Sequence, residues 1–287
     1  MFNEREHERF ISPIELQRRE YRRMKTVRSV LISCASFLVF SFLIWWILSR
    51  SEGWELVRKM YFDPKHLVAS APQVFKGILV NLKILGAALV GTAVLSTLLA
   101  ITRTTKSAAL FPLRLVSLLY TSIFRGLPMI VVLYLIGFGI PGLNIFGRID
   151  KNLIGGICIT LVYSAYVAEV LRAGIEAIHP SQRAAARSLG LSHTQTLRIV
   201  ILPQAIRKVV PALMNDFVAM QKDVGLVSVV GAVDAVRQAG IYTAKTFNYS
   251  SYVFAGLMFI CMSLPFVLLT DWYAAKVRRR EQMEGAV

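Results

Sequence analysis

Acidic side chains, histidine and cysteine are scarce in this chain. Among 287 residues, 17 Asp and Glu stand against 33 Lys and Arg, with 4 His and 3 Cys. Each shortage excludes something. His7, His66, His179 and His193 all fall outside the long apolar runs. No His/Asp cluster therefore shares one membrane depth, which argues against an intramembrane enzyme or a metal centre. Cys34, Cys158 and Cys261 lie inside apolar runs; they read as small packing residues rather than a disulfide framework. The chain also lacks G-x-x-x-x-G-K-[ST], H-E-x-x-H, C-x-x-C and G-x-S-x-G. No catalytic residue, cofactor site or metal site is indicated, and any ATP used must be hydrolysed by another chain.

Long apolar runs are what the chain has instead. It is 55% hydrophobic with a mean hydropathy of +0.55, and its formal charge is +16. A charge of that size would suit nucleic acid, but runs this apolar belong in hydrocarbon, and basic loops between them follow the positive-inside bias. Residues 30–48 are uncharged and end in Trp45 and Trp46. At 1.5 Å per residue they cross a hydrocarbon core of about 30 Å. Bulky residues at their exit argue for a retained helix rather than a cleaved signal. Further spans are expected at 77–101, 115–140, 153–171, 209–233 and 251–270. The sequence thus predicts an all-α integral membrane protein with six transmembrane helices.

Residues 1–29 are polar and suit a short surface helix after Pro13, a disordered segment or a membrane-surface helix. Residues 49–74 read as an extracytoplasmic loop, 75–275 as the main transmembrane domain with a loop at 172–208, and 276–287 as a basic tail. The third span is interrupted by FRGLP at 124–128. There Pro128 favours a kink, and Arg125 either ends the true span or faces the protein interior. The fifth span is broken by Pro211, Asp216, Lys222, Asp223 and Gly225, as expected of a segment lining a cavity. Six crossings put both termini on one side, and twenty-one of the basic residues fall there against nine on the other. That side is therefore expected to be cytoplasmic.

The stretch AAARSLGLSHTQTLRIVILP at 184–203 lies on the same side. His179-Pro180 suits a helix entry, Gly190 a helix stop, and Ser192 with Gln195 a capping box. The expectation is a helix, a glycine turn and a second helix that Pro203 either limits or follows. Ala184, Ala185 and Ala186 would make one face flat, with Arg183, Arg187 and Arg198 around it. Such a face fits a groove on a partner or an anionic lipid surface.

These residues carry a resemblance. AARSLG-L-S followed by ILPQAIR resembles the "EAA" loop of binding-protein-dependent ABC importer permeases. YSAYVAEVLRAGIEAI, NDFVAMQKDVGLVSVVG, NLKI at 81–84 and FRGLPMIVVLYLIGFGIP at 124–141 resemble the polar amino-acid branch of that family. The likeness runs from about Phe75 to the tail; the first span looks like an addition. It implies a type I ABC importer transmembrane domain in a bacterial inner membrane. Two permease subunits, identical or homologous, would form the pathway above two ATPase subunits that hold ATP and Mg. An extracytoplasmic solute-binding protein would deliver an amino acid. The coupling helix would involve Ser181, Arg183, Ala184, Ala185, Ala186, Arg187, Leu189, Gly190, Ser192, Leu202 and Pro203. Ala184 stands where the family has glutamate, and Val224-Gly225 replace a hydroxyl pair in KDVGL.

Candidate pathway residues are Tyr163, Ser164, Tyr166 and Glu169 on the fourth span and Asn215, Asp216, Lys222 and Asp223 on the fifth. Each has structural pairing within the bundle as an alternative role. Glu169 and Arg172, three apart, share a helix face and suit an ion pair. The competing overall reading is a non-transporting scaffold or sensor that docks a soluble partner through residues 178–203.

Overall fold

The computed structural model describes residues 13–105, 108–145 and 147–284, and its described residues contain helices and no strand. The chain divides into two compact units, Met1–Lys59 and Met60–Val287. In the first unit, helix α1 (Pro13–Ser49) is one continuous rod of 37 residues. The basic stretch after Pro13 and the apolar run therefore form a single helix, not a surface helix followed by a span. Residues 1–12 lie outside the described residues. None of the apolar window of α1 is buried, as suits a helix surrounded by lipid.

Helix α2 (Trp54–Tyr61) crosses the division, and α3 (Pro64–Thr104) opens the second unit. The expected loop at 49–74 is thus largely helical. The reason lies at the start of α3, where the Asp63 side chain accepts from the Lys65 backbone N–H and Pro64 occupies the first turn, a strong entry signal. Beyond a 3₁₀ turn at Ala108–Leu110 come α4 (Phe111–Gly126) and α5 (Met129–Gly142). The third span is therefore two helices, parted at Leu127–Pro128, where Pro cannot donate to the ladder. Helix α6 (Lys151–Glu176) follows, then α7 (Pro180–Ser188), α8 (His193–Gln195) and a π-helical stretch at Thr196–Ile201 that runs on into α9 (Leu202–Asp223). Pro203 sits in the first turn of α9 and does not interrupt the rod. A 3₁₀ stretch (Val224–Val230), α10 (Ala235–Thr246) and α11 (Ser250–Glu284) complete the chain. Among the described residues five helices are long and apolar enough to span a membrane, and the pair His193–Val230 and Ala235–Thr246, bent by 49°, adds a sixth if it is one span.

The core is built around α6. Ile154, Cys158, Ile159 and Val162 pack with Ile84, Leu85 and Ala88 of α3, Val132 and Leu133 of α5, and Val224, Val227 and Val230 of the 3₁₀ stretch. A second cluster joins Val74 and Ile78 of α3 to Ala235 and Ala239 of α10 and Ala255 of α11. Gly77 makes this possible: a Cβ there would stand 2.5 Å from the Ala235 backbone N and Cα. Between the clusters, Asn81 pins the broken fifth span. Its amide donates to the Asp234 carboxylate (3.0 Å) and the Val224 carbonyl (3.2 Å), and its oxygen accepts from the Ala235 N–H (3.0 Å). All of these groups are buried, so each bond replaces one lost to water.

Candidate functional site

Two features stand apart from the packing: the 177–203 loop and a run of polar groups along α4, α6 and α9. In the loop, the His179 ring caps α7 by accepting from the Ser181 N–H. Gly190 has φ +82°, the left-handed turn that favours glycine. Ser192 and Gln195 form the reciprocal capping box at the next helix start. Ile178, Ile201 and Ala205 bury a small core of the loop's own, with Ile175, Leu197 and Val200 against it.

The surface this leaves open differs from the expected one. Ala186 is buried, so the three alanines do not share one open face; Ala184 and Ala185 are exposed beside Ser181 and Ser188. Arg183 donates to the Ile175 carbonyl (3.2 Å) and Arg187 to the Leu191 carbonyl (3.3 Å). These two arginines hold the loop's shape; Arg198 stays exposed. At the apex Leu189 is 82% exposed, a large apolar side chain next to a stiffened turn. Ser192 and Pro203 are exposed and Leu202 half-buried. A short helix with a small-residue face and one apolar apex fits a complementary groove.

In the bundle, Glu169 is the hub of an ion network. It pairs with Arg103 of α3 and, through both oxygens, with Arg172, which also binds Glu176. Arg125 of α4 lies 3.8 Å from it. The expected Glu169–Arg172 pair is present. Arg103, sixty-six residues away, carried no sequence signal of its role, since only the fold brings the end of α3 beside α6. One turn further along α6, Tyr166 donates to the Arg125 carbonyl (3.2 Å), and Tyr163 donates to the Asp223 carboxylate (2.8 Å) across to α9. The Tyr163 and Tyr166 rings are 6.2 Å apart.

The other expected pathway residues separate into two groups. Ser164 is fully buried, bonded to Tyr120 and to the Leu161 carbonyl; it belongs to the α4–α6 packing, not to an open face, because the Tyr120 hydroxyl closes over it. Asn215 and Lys222 are exposed, and Asp216 and Asp223 half-buried. One oxygen of Asp216 is buried without a hydrogen-bond partner among the described residues. No group of His, Cys, Asp and Glu among the described residues is arranged to hold a metal ion.

Comparison with known proteins gives this arrangement a setting. Residues 107–281 match the family described as binding-protein-dependent transport system inner membrane component. The putative glutamine transport system permease protein of Rickettsia conorii is 34% identical over 220 residues, 75% of this chain and 97% of that protein. The arginine transport system permease protein of Bacillus subtilis is 32% identical over 223 residues, covering 77% and 98%. Among solved structures, a crystal structure of an amino acid ABC transporter with histidines superposes with a TM-score of 0.68 at 33% identity. The match covers 76% of this chain and all of that one. The expected resemblance and the all-helical membrane fold thus hold, and the chain belongs to the binding-protein-dependent transport system inner membrane components, the permease subunits of ABC importers.

Proposed function

We propose that this chain forms the membrane pathway for an amino acid and couples that pathway to a separate ATPase subunit through the 177–203 loop. Two permease subunits, identical or homologous, would enclose the pathway. Each would rest on one of two ATPase subunits, which would hold ATP and Mg²⁺. A solute-binding protein would deliver substrate from the far side. The charge asymmetry supports cytoplasmic termini, with the loop on the same side. The observation that carries the proposal is Leu189, an exposed apolar apex on a turn fixed by Gly190, Arg187 and the capping box.

Ser181, Arg183, Ala184, Ala185, Ala186, Arg187, Leu189, Gly190, Ser192, Leu202 and Pro203 make up this docking element. Movement of the ATPase pair on binding ATP would reach α6 and α9 through it, since the loop's small core ties Ile175 and Ile178 to Ile201 and Ala205. The pathway would then alternate between two facings, driven by their different affinity for nucleotide. Tyr163, Tyr166, Glu169, Asn215, Asp216, Lys222 and Asp223 are its polar side chains in this reading.

The test is assembly. In detergent extracts of cells co-expressing the cognate ATPase, Leu189→Asp should cut ATPase co-purification at least about tenfold, the scale of a lost interface anchor. Unchanged co-purification would contradict the docking role. A second reading, a membrane scaffold or sensor, draws on Ala184 standing where the family has glutamate. Substrate-stimulated ATP hydrolysis in proteoliposomes separates the two, since a scaffold would give none.

A further inference from the structure

A cleft of about 310 Å³ lies between α5, the 3₁₀ stretch, α10 and α11, lined by Tyr134, Ser228, Arg237, Gly240 and Tyr252. That volume is at the lower end of small-molecule sites. Helix α10 packs beside the first half of α3, where Gly77 meets Ala235 and the His66 ring bonds the Tyr242 hydroxyl (2.9 Å). The cleft is therefore at the end of the bundle away from Arg103 and the 177–203 loop. Its polar side chains are unused. Arg237 is exposed and donates only through its backbone N–H, to Asp234 (2.8 Å). The Asp234 carboxylate is fully buried and is taken by that N–H and by Asn81. The Arg237 guanidinium and the Tyr134 and Tyr252 hydroxyls make no hydrogen bond or ion pair among the described residues. A Cβ at Gly240 would stand 2.9 Å from the Tyr252 hydroxyl, so glycine there lets Tyr252 close against α10. The floor of the cleft continues the polar side of α9. Asn215 and Lys222 are about two α-helical turns apart, and Ser228 follows Lys222 by about two 3₁₀ turns, so the three lie along one face. Asn215 and Lys222 are exposed on it. Such groups inside an apolar span belong to a water-filled path and not to lipid. The cleft stands at the head of that face.

We infer that this cleft is an entry site for a free carboxylate, in which Arg237 receives the α-carboxylate of the amino acid as it enters the pathway. The chemistry matches. A carboxylate only accepts, and the cleft offers the planar fork of a guanidinium and two phenol hydroxyls able to donate. No acidic side chain lines it, so an arriving anion meets no opposing charge. A lipid phosphate has the same acceptor chemistry. The polar face from Ser228 to Asn215 assigns the cleft to the solute, because a lipid-facing surface would not carry Lys222. This inference rests on the transport reading above and adds to it a selection for solutes with a free carboxylate, made before they reach Tyr163 and Asp223.

The experiment uses the purified permease–ATPase complex in phosphatidylcholine nanodiscs without the binding protein, so that the latter's own selectivity does not enter. Tritiated L-glutamine, L-arginine and L-glutamate are offered in turn, and the one bound is competed by its own α-amide. Wild type should prefer the amino acid. Arg237→Gln should lower that preference about tenfold or more, the scale of one lost charge-assisted bond. Arg237→Lys should keep part of it, and Lys76→Gln, exposed on α3 beside Gly77, should leave it unchanged. An unchanged preference in Arg237→Gln, or an equal loss of amino acid and α-amide, overturns the site. A second arm measures, by mass spectrometry, the phosphatidylglycerol that the complex carries out of the cell membrane. Equal amounts on wild type and Arg237→Gln support the site; a selective loss from Arg237→Gln assigns the cleft to lipid phosphate and overturns it. Uptake into proteoliposomes with ATP and the binding protein separates two failures. Uptake of an amino acid that the wild-type complex alone does not bind overturns the site and leaves the transport reading standing. Neither binding nor uptake of any of the three overturns the transport reading, and the site with it.

Discussion

Two glycines, Gly190 and Gly77, show how differently the same residue type can be used. At Gly190 the requirement is conformational, because φ is +82° with open space around the missing Cβ. Gly190→Ala should therefore cost on the order of 1 kcal/mol of local stability, seen as a small drop in ATPase co-purification. Gly77 has ordinary helical backbone but faces Ala235 at backbone distance. Gly77→Ala must move α10 or α3, at a cost of roughly 1–3 kcal/mol, read as a lower melting temperature in detergent. Ala184 poses the opposite case. It is exposed on the open face of α7, so Ala184→Glu should fold normally and leave ATPase assembly unchanged or stronger. A clear loss of assembly would count against the groove-docking assignment. Asn81 was legible only as part of NLKI; what it does depends on Val224, Asp234 and Ala235, more than 140 residues away.

At the scale of elements, α1 and the broken fifth span make contrasting predictions. The relatives match this chain over three quarters of its length while covering 97–98% of their own, and the compact unit holding the family match begins at Met60. A chain lacking residues 1–59 should therefore still assemble with the ATPase, a result that co-purification checks directly. The fifth span is the less tolerant element, since its 3₁₀ stretch and the turn to α10 are held by the buried Asn81–Asp234 bond. Asn81→Ala should destabilise the bundle by about 1–3 kcal/mol, the usual cost of leaving a buried polar group unpaired. That five or six apolar helices cross the membrane was readable from apolar runs, because a hydrocarbon core demands length and apolarity that local sequence displays; the break of 115–140 into two helices was not. The loop grammar was readable too, since Gly190 and Ser192–Gln195 act within a single turn. What stayed hidden was whatever depends on distant packing. Asp63 lengthens α3 by a cap, Ala186 turns inward on the loop's small core, and the Tyr120 hydroxyl covers Ser164. Arg103 and Arg125 reach Glu169 only once three helices have come together.

For the whole molecule, contacts run without a break from the polar groups of α6 to the 177–203 loop. Glu169 joins α3 to α6, α6 runs on to Glu176, and the loop's core holds Ile175 and Ile178 against α9. In the proposed mechanism a push on Leu189 would be carried by this packing to the helices that hold Tyr163 and Asp223. The most direct test is ATP-driven uptake into proteoliposomes that hold this chain with its ATPase, with the binding protein outside and glutamine, arginine and glutamate supplied in turn. The account predicts accumulation of at least one of them that requires ATP and the binding protein and is abolished by Leu189→Asp. Assembly with the ATPase and hydrolysis of ATP without accumulation of any amino acid would contradict it.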